Sequence, residues 1–110
     1  MDLKRRAAAV AYKERKTVAG VFALRCRANE QSFVGRALDI DKIRNRLVFS
    51  LNGGSHPQRE LQAAWTRFGE AAFAFEILER LEEAPSAYAR DAALKDRVDF
   101  WRARLGAAPV

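Results

Sequence analysis

The sequence has little of what builds a disulfide-bonded, cysteine-ligated or membrane-embedded protein. It contains one cysteine among 110 residues, which excludes an internal disulfide and a cysteine-based metal cluster. Charged residues interrupt every apolar run, so no stretch predicts a membrane-spanning helix. The first 16 residues lack the long apolar core of a secretory signal. From these absences we expect a protein of the reducing cytoplasm that does not enter a membrane.

Acidic residues are also scarce at one end of the chain. Twenty Lys and Arg face fourteen Asp and Glu, which gives a formal net charge of +6. Residues 1–35 hold eight of the basic residues and three of the acids, whereas the remaining residues are close to balance. A local basic excess suits the phosphate backbone of a nucleic acid or another anionic surface, although a solvated face would have the same composition.

What the chain does have is enough apolar sequence for one domain. Hydrophobic residues make up 49% and charged residues 31%, as in ordinary soluble domains. Apolar periodicity and turn residues predict the following order: a helix at 3–16, strands at 18–26 and 32–38, helices beginning near Asp39 and near Ser55 or His56, a strand at 72–78, and a helix beginning at Ser86 or Pro85. We therefore expect an α/β (α+β) fold in which helices flank a central antiparallel three-stranded sheet.

Two tripeptides and two further segments give the chain a family resemblance. "GVF" occupies residues 20–22, "FVG" residues 33–35, "LNGGSHPQRELQAAWTRFGEAAFAFEILERL" residues 51–81 and "DFW" residues 99–101. In this order and spacing they resemble the GIY-YIG nuclease domain, in a small stand-alone bacterial form. The resemblance implies a GIY-YIG-like domain over residues 18–106, preceded by an N-terminal helical extension over residues 1–17.

The family's catalytic positions hold unsuitable residues in this sequence. The resemblance places Phe22 and Phe33 where the family has tyrosines, Ile43 where it has an arginine, and Val98 where it has a metal-binding glutamate. A phenyl ring cannot donate or accept a proton, and an aliphatic side chain cannot hold a divalent metal. The resemblance therefore implies a degenerate active site with no assigned catalytic or metal-ligating residue. No cofactor is expected, and Mg²⁺ would be needed only if the protein were an atypical nuclease.

Several basic residues remain as candidates for contacting nucleic acid. They lie on the predicted hairpin, on the helix that follows it and at the next helix start: Arg25, Arg27, Arg36, Arg44, Arg46 and His56. The resemblance implies that this region borders the cleft for DNA. His56, the only histidine, either helps a helix start to bind phosphate or packs as a turn residue. Phe22 and Phe33 are either core residues or a stacking surface for an unpaired base.

Three functions stay open at this point. The leading hypothesis is a nucleic-acid-binding protein, with DNA favoured, that keeps the GIY-YIG fold without cutting. The first alternative is an atypical divalent-metal-dependent DNA endonuclease, which would need Asp96 or Asp99 turned toward the arginines that follow the hairpin. The second is a protein-interaction or self-association role on the same fold, because a fold alone does not determine function.

Overall fold

Three helices and four strands make up the part of the chain that the structure describes. A computed structural model describes residues 17–110; the predicted helix at 3–16, and with it nearly all of the expected extension, lies outside that range. The elements are β1 (Gly20–Cys26), β2 (Ser32–Ala37), α1 (Ile43–Asn52), α2 (Arg59–Phe68), a short 3₁₀ turn (Glu70–Ala72), β3 (Phe73–Arg80), α3 (Ala87–Leu105) and β4 (Ala108–Pro109). The mixed α+β architecture predicted from the sequence is confirmed. None of the helices in this range is long and apolar enough to span a bilayer.

The sheet grows from a β-hairpin. β1 and β2 pair antiparallel, with Leu24 opposite Phe33, and β3 joins the other edge of β1 in antiparallel orientation. In the turn, the side-chain oxygen of Asn29 accepts a hydrogen bond from the backbone N–H of Gln31 at 2.9 Å, which stabilises the reversal. The predicted hairpin is therefore present, and the order of strands across the sheet is β3-β1-β2-β4.

A fourth strand corrects the prediction of a three-stranded sheet. Gly106 follows α3 with a left-handed φ of 62°, which turns the chain back toward the edge of β2. There β4 pairs parallel with β2, and the N–H of Val110 donates to the Val34 carbonyl oxygen at 3.1 Å. A two-residue strand carries no readable periodicity, so the sequence pattern could not reveal this pairing. β4 covers the edge of β2, which would otherwise expose unpaired backbone groups. The described fold therefore extends beyond residue 106, the expected end of the domain.

Each face of the sheet packs against different helices. On one side, α1 and α2 cover a cluster whose buried members are Phe22, Leu24, Phe33, Ala37, Ile40, Leu47, Leu51, Leu61 and Trp65. On the other side, α3 covers a smaller cluster whose buried members are Val21, Ala23, Val34 and Ala107. We call these sides the α1/α2 face and the α3 face. Alternation along β1 produces both, because successive side chains of a strand point to opposite faces.

The sequence patterns predict the start of α3 correctly but place the start of α1 too early. α1 begins at Ile43 rather than after Asp39, because the N–H of Lys42 donates to the Asp39 carbonyl oxygen at 3.2 Å and closes a turn first. α3 begins after Ser86, one of the two predicted starts, and the Ser86 Oγ accepts a hydrogen bond from the N–H of Ala89 at 3.1 Å. Ser86 belongs to the residue types preferred at N-caps and was predictable, whereas Lys42, which makes no side-chain cap, was not.

Candidate nucleic-acid interface

Phe22 and Phe33, which the resemblance places at tyrosine positions, lie in the core. Phe22 is 1% exposed and Phe33 is 0% exposed, both within the cluster of the α1/α2 face. The Phe22 ring stacks on Phe75, with 5.5 Å between ring centroids and 22° between ring planes. Gly35, opposite Phe22 on β2, has no room for a larger residue, since an added Cβ would lie 2.8 Å from Phe22 and 2.9 Å from Val110. Neither phenylalanine therefore offers a surface on which an unpaired base could stack.

Ile43 and Val98, which the resemblance places at an arginine and a glutamate position, lie on opposite sides of the sheet. Ile43, at the start of α1, is half-buried against the cluster of the α1/α2 face, whereas Val98 is half-buried against the cluster of the α3 face. These positions do not line one open cleft. Asp96 and Asp99 are exposed on α3, so the sheet also separates them from α1. Within residues 17–110, no three His, Cys, Asp or Glu side chains are close enough together to hold a metal ion.

Helix α1 carries an exposed basic and aromatic surface. Residues 42–59 contain four Lys or Arg and no Asp or Glu. Arg44 and Arg46 are exposed, and neither has an ion-pair partner in the described part of the chain. Phe49 is 82% exposed and forgoes about 1.5–3 kcal/mol that burial of its ring would contribute. Because residues three apart share a helix face, Arg46 and Phe49 place a cation beside a ring, which suits a phosphate beside a base.

The fold can be compared with those of known proteins. No protein-family model matches the sequence, and no curated protein gives a significant match. Among solved structures, the catalytic domain of the homing endonuclease I-TevI is similar, with 24% identity, a TM-score of 0.68 and coverage of 84% of this chain and 97% of that one. A mutant form, described as the catalytic domain of the intron endonuclease I-TevI, has 24% identity, a TM-score of 0.69 and coverage of 82% of this chain and 86% of that one. I-TevI is a GIY-YIG homing endonuclease. This chain has the GIY-YIG nuclease-domain fold.

The GIY-YIG fold divides the predicted basic residues between two sides. The α1 arginines lie on one side, whereas Arg25 and Arg27, at the end of β1, are exposed on the α3 face. They line a groove of about 340 Å³ whose other charged side chains are Glu30 and Glu76. Arg36, on β2, is exposed on the same face of the sheet. Because two carboxylates offset the two guanidinium groups, this groove suits a polyanion less well than the acid-free α1 does.

His56 lies in the turn between α1 and α2 of the GIY-YIG fold. The N-cap of α2 is Gln58, not Ser55 or His56, and the Gln58 side-chain oxygen accepts hydrogen bonds from two N–H groups of the first turn at 2.7 and 3.3 Å. The Nδ1 of His56 accepts a hydrogen bond from the Gln58 N–H at 3.1 Å, and the His56 N–H donates to the side chain of Gln62 at 3.1 Å. Partial burial lowers the pKa of His56 below its ordinary value, so the ring is neutral at pH 7. These contacts hold the ring as an acceptor and leave few free helix donors for a phosphate.

Phe49 is a candidate that the sequence patterns did not single out, although the signal is present. The buried stripe of α1 runs through Ile43, Leu47 and Leu51. Phe49 follows Leu47 by two residues, which rotates its side chain about 200° away from the stripe. The acid-free run from residue 42 to residue 59 is visible in the sequence as well. The stripe and the run together identify the solvent face of α1.

Proposed function

We propose that this protein binds nucleic acid, with DNA favoured, through the exposed surface of α1. The observation that carries the proposal is that Arg44 and Arg46, on different flanks of this helix, are both exposed and have no ion-pair partner in residues 17–110, while the helix has no acidic residue and exposes Phe49. Arginines that neutralise phosphates release counterions, and an aromatic ring stacks on bases of any sequence. Similarity to the catalytic domain of an endonuclease supports the same class of ligand.

The second part of the proposal is that the protein does not hydrolyse the DNA backbone. Cleavage needs a group that activates water and a cation that stabilises the charge on the phosphate. Phe22 and Phe33 have no exchangeable side-chain proton, and Val98 has no metal-binding atom. An atypical nuclease built from acids of α3 and arginines of α1 has less support, because these helices cover opposite faces of the sheet. Binding on this proposal requires no cofactor.

One titration tests binding and cleavage together. Labelled single- and double-stranded DNA is titrated with the protein at several salt concentrations from about 50 to 200 mM. Each series is measured by fluorescence anisotropy, once with magnesium and once with EDTA, and the products are separated on a denaturing gel. We expect binding that weakens steeply with salt, persists in EDTA and leaves the strands intact. Cut strands in magnesium would overturn the second part of the proposal.

A charge-matched pair of variants locates the interface. The double variant Arg44→Gln/Arg46→Gln removes two phosphate contacts, so the slope of log Kd against log salt should become shallower by about 2. Lys95→Gln/Arg104→Gln removes the same charge from exposed positions of α3 and should leave the slope unchanged. Equal effects of the two double variants would show that net charge, not α1, carries binding. No binding at low salt would reject the proposal and favour the protein-interaction role.

A further inference from the structure

A pocket opens beside α1, on the α1/α2 face at the strand β3. Its volume is about 390 Å³, within the range of pockets that hold small organic molecules. Leu24, Leu47 and Leu51, all buried, supply apolar lining. The pocket is therefore continuous with the core cluster on one side and with the proposed binding helix on the other.

Aromatic rings form one side of this pocket. Trp65 and Phe73 lie in contact, with 5.1 Å between ring centroids and 38° between ring planes, and Phe75 lies beside them. The indole N–H of Trp65 donates to the Asn52 side-chain oxygen at 2.9 Å, which fixes the orientation of the ring. Aromatic side chains of this kind stack on nucleobases, because every base has a π face.

Two side chains of opposite charge lie at the opening of the pocket. Arg44 and Glu70 both line it, and both are exposed. In the described part of the chain they form no ion pair with each other or with another residue. The guanidinium group of Arg44 is therefore available to a phosphate, and the carboxylate of Glu70 is available to an N–H donor. An unpaired nucleotide presents both of these partners: a phosphate for Arg44 and, at the edge of its base, an N–H donor for Glu70.

We propose that this pocket receives one unpaired nucleobase of a bound strand. The base packs against the aromatic side, Arg44 binds the adjoining phosphate, and Glu70 accepts a hydrogen bond from an exocyclic amino group. Cytosine and adenine carry such a group and thymine does not, so the pocket favours the amino-bearing bases. The inference rests on the proposed function, and it predicts a preference for single-stranded over fully paired DNA, since a paired base must first leave its stack.

Tryptophan fluorescence can observe the pocket directly. The chain has two tryptophans, so Trp101→Phe leaves Trp65, inside the pocket, as the only one. The probes are three single strands of equal length: oligothymidine, the same strand with one central cytosine, and a strand in which every nucleotide is abasic. We expect the cytosine strand to change the Trp65 emission and to bind about tenfold more tightly than the abasic strand, as one stacked base contributes.

A matched pair of exposed carboxylates tests the role of Glu70. Gln in place of Glu can donate as well as accept, so Glu70→Gln should remove the preference for cytosine over thymine. Glu76→Gln, on the other face of the sheet, should keep it. If anisotropy reports salt-sensitive binding while Trp65 emission is the same with all three strands, the pocket assignment fails and the proposed function stands. A cytosine preference that survives Glu70→Gln would also overturn the assignment, and no binding by any strand would overturn both proposals.

Discussion

The two faces of the sheet use the same strands in different ways. On the α1/α2 face, Phe22 and Leu24 of β1 join a cluster that buries only apolar side chains, as does the whole core formed by residues 17–110. The α3 face buries fewer apolar residues and adds a polar contact. There the carboxylate of Glu79 accepts hydrogen bonds from the Arg97 Nε at 2.8 Å and the Trp101 Nε1 at 3.0 Å. The α1/α2 face therefore combines a larger apolar cluster with a neutral hydrogen bond between Trp65 and Asn52, whereas the α3 face combines a smaller apolar cluster with a charged hydrogen-bond network.

This difference accounts for the apolar side chains at Phe22 and Phe33. Both residues belong to the larger cluster, on the α1/α2 face. A polar atom buried there without a hydrogen-bond partner would lower the free energy of unfolding. The exposed arginines of α1 avoid this cost because solvent reaches them. Charge is kept on the helix surface, and the sheet beneath it is apolar.

Phe33→Ala should produce the largest effect on stability. Truncating a fully buried phenylalanine removes transfer free energy and leaves a cavity, so we expect a loss of about 3–5 kcal/mol in the free energy of unfolding. Arg25→Ala is the control, since Arg25 is exposed on the α3 face next to the Leu24–Phe33 pair, and its loss should stay within about 0.5 kcal/mol. Urea unfolding followed by circular dichroism measures both. Similar losses in the two variants would contradict the assignment of Phe33 to the apolar cluster of the α1/α2 face.

Phe22→Tyr should have the next largest effect. The added hydroxyl sits on the ring atom that lies closest to Gly35, in a site where Phe22 is 1% exposed, so we expect a loss of about 1–3 kcal/mol in the free energy of unfolding. Phe100→Tyr, at an exposed ring of α3, makes the same chemical change with little effect. The measurement is again urea unfolding, with a DNA cleavage assay in magnesium on the double variant Phe22→Tyr/Phe33→Tyr. A stable double variant that cleaves DNA would show that the phenol groups alone were missing.

Local signals were predictable from the sequence, and long-range ones were not. The alternation of Phe73, Phe75 and Ile77 predicts their shared face, and all three pack on the α1/α2-face cluster. Neither the pairing of β4 with β2 nor the position of Glu70 at a pocket has a local signal, because each depends on where a turn returns the chain. The separation of the basic residues onto two faces also has no local signal in the sequence, because it depends on which helix covers which side of the sheet.

Glu79 should make the α3 face sensitive to pH in a range where the α1/α2 face is not. Burial by itself raises the pKa of Glu79, but the hydrogen bonds from Trp101 and Arg97 and the charge of Arg97 together lower the pKa below its ordinary value of 4.5. A carboxyl whose pKa is lower in the folded state stabilises the fold above the unfolded-state pKa. It loses that contribution as the pH falls through 4.5 toward the lower folded-state value.

The comparison of Glu79→Gln with Phe33→Ala separates the two faces by the shape of a pH profile. Between about pH 6 and pH 3, the free energy of unfolding of Glu79→Gln should fall less steeply than that of the unmodified protein, because glutamine does not titrate. Phe33→Ala should lower the whole profile without changing its slope in this interval, because the cluster around Phe33 buries no titratable side chain. Urea titrations at each pH give the profiles. Parallel profiles for Glu79→Gln and the unmodified protein would show that the ionisation of Glu79 contributes nothing to stability, and the contrast in pH dependence between the two faces would then fail.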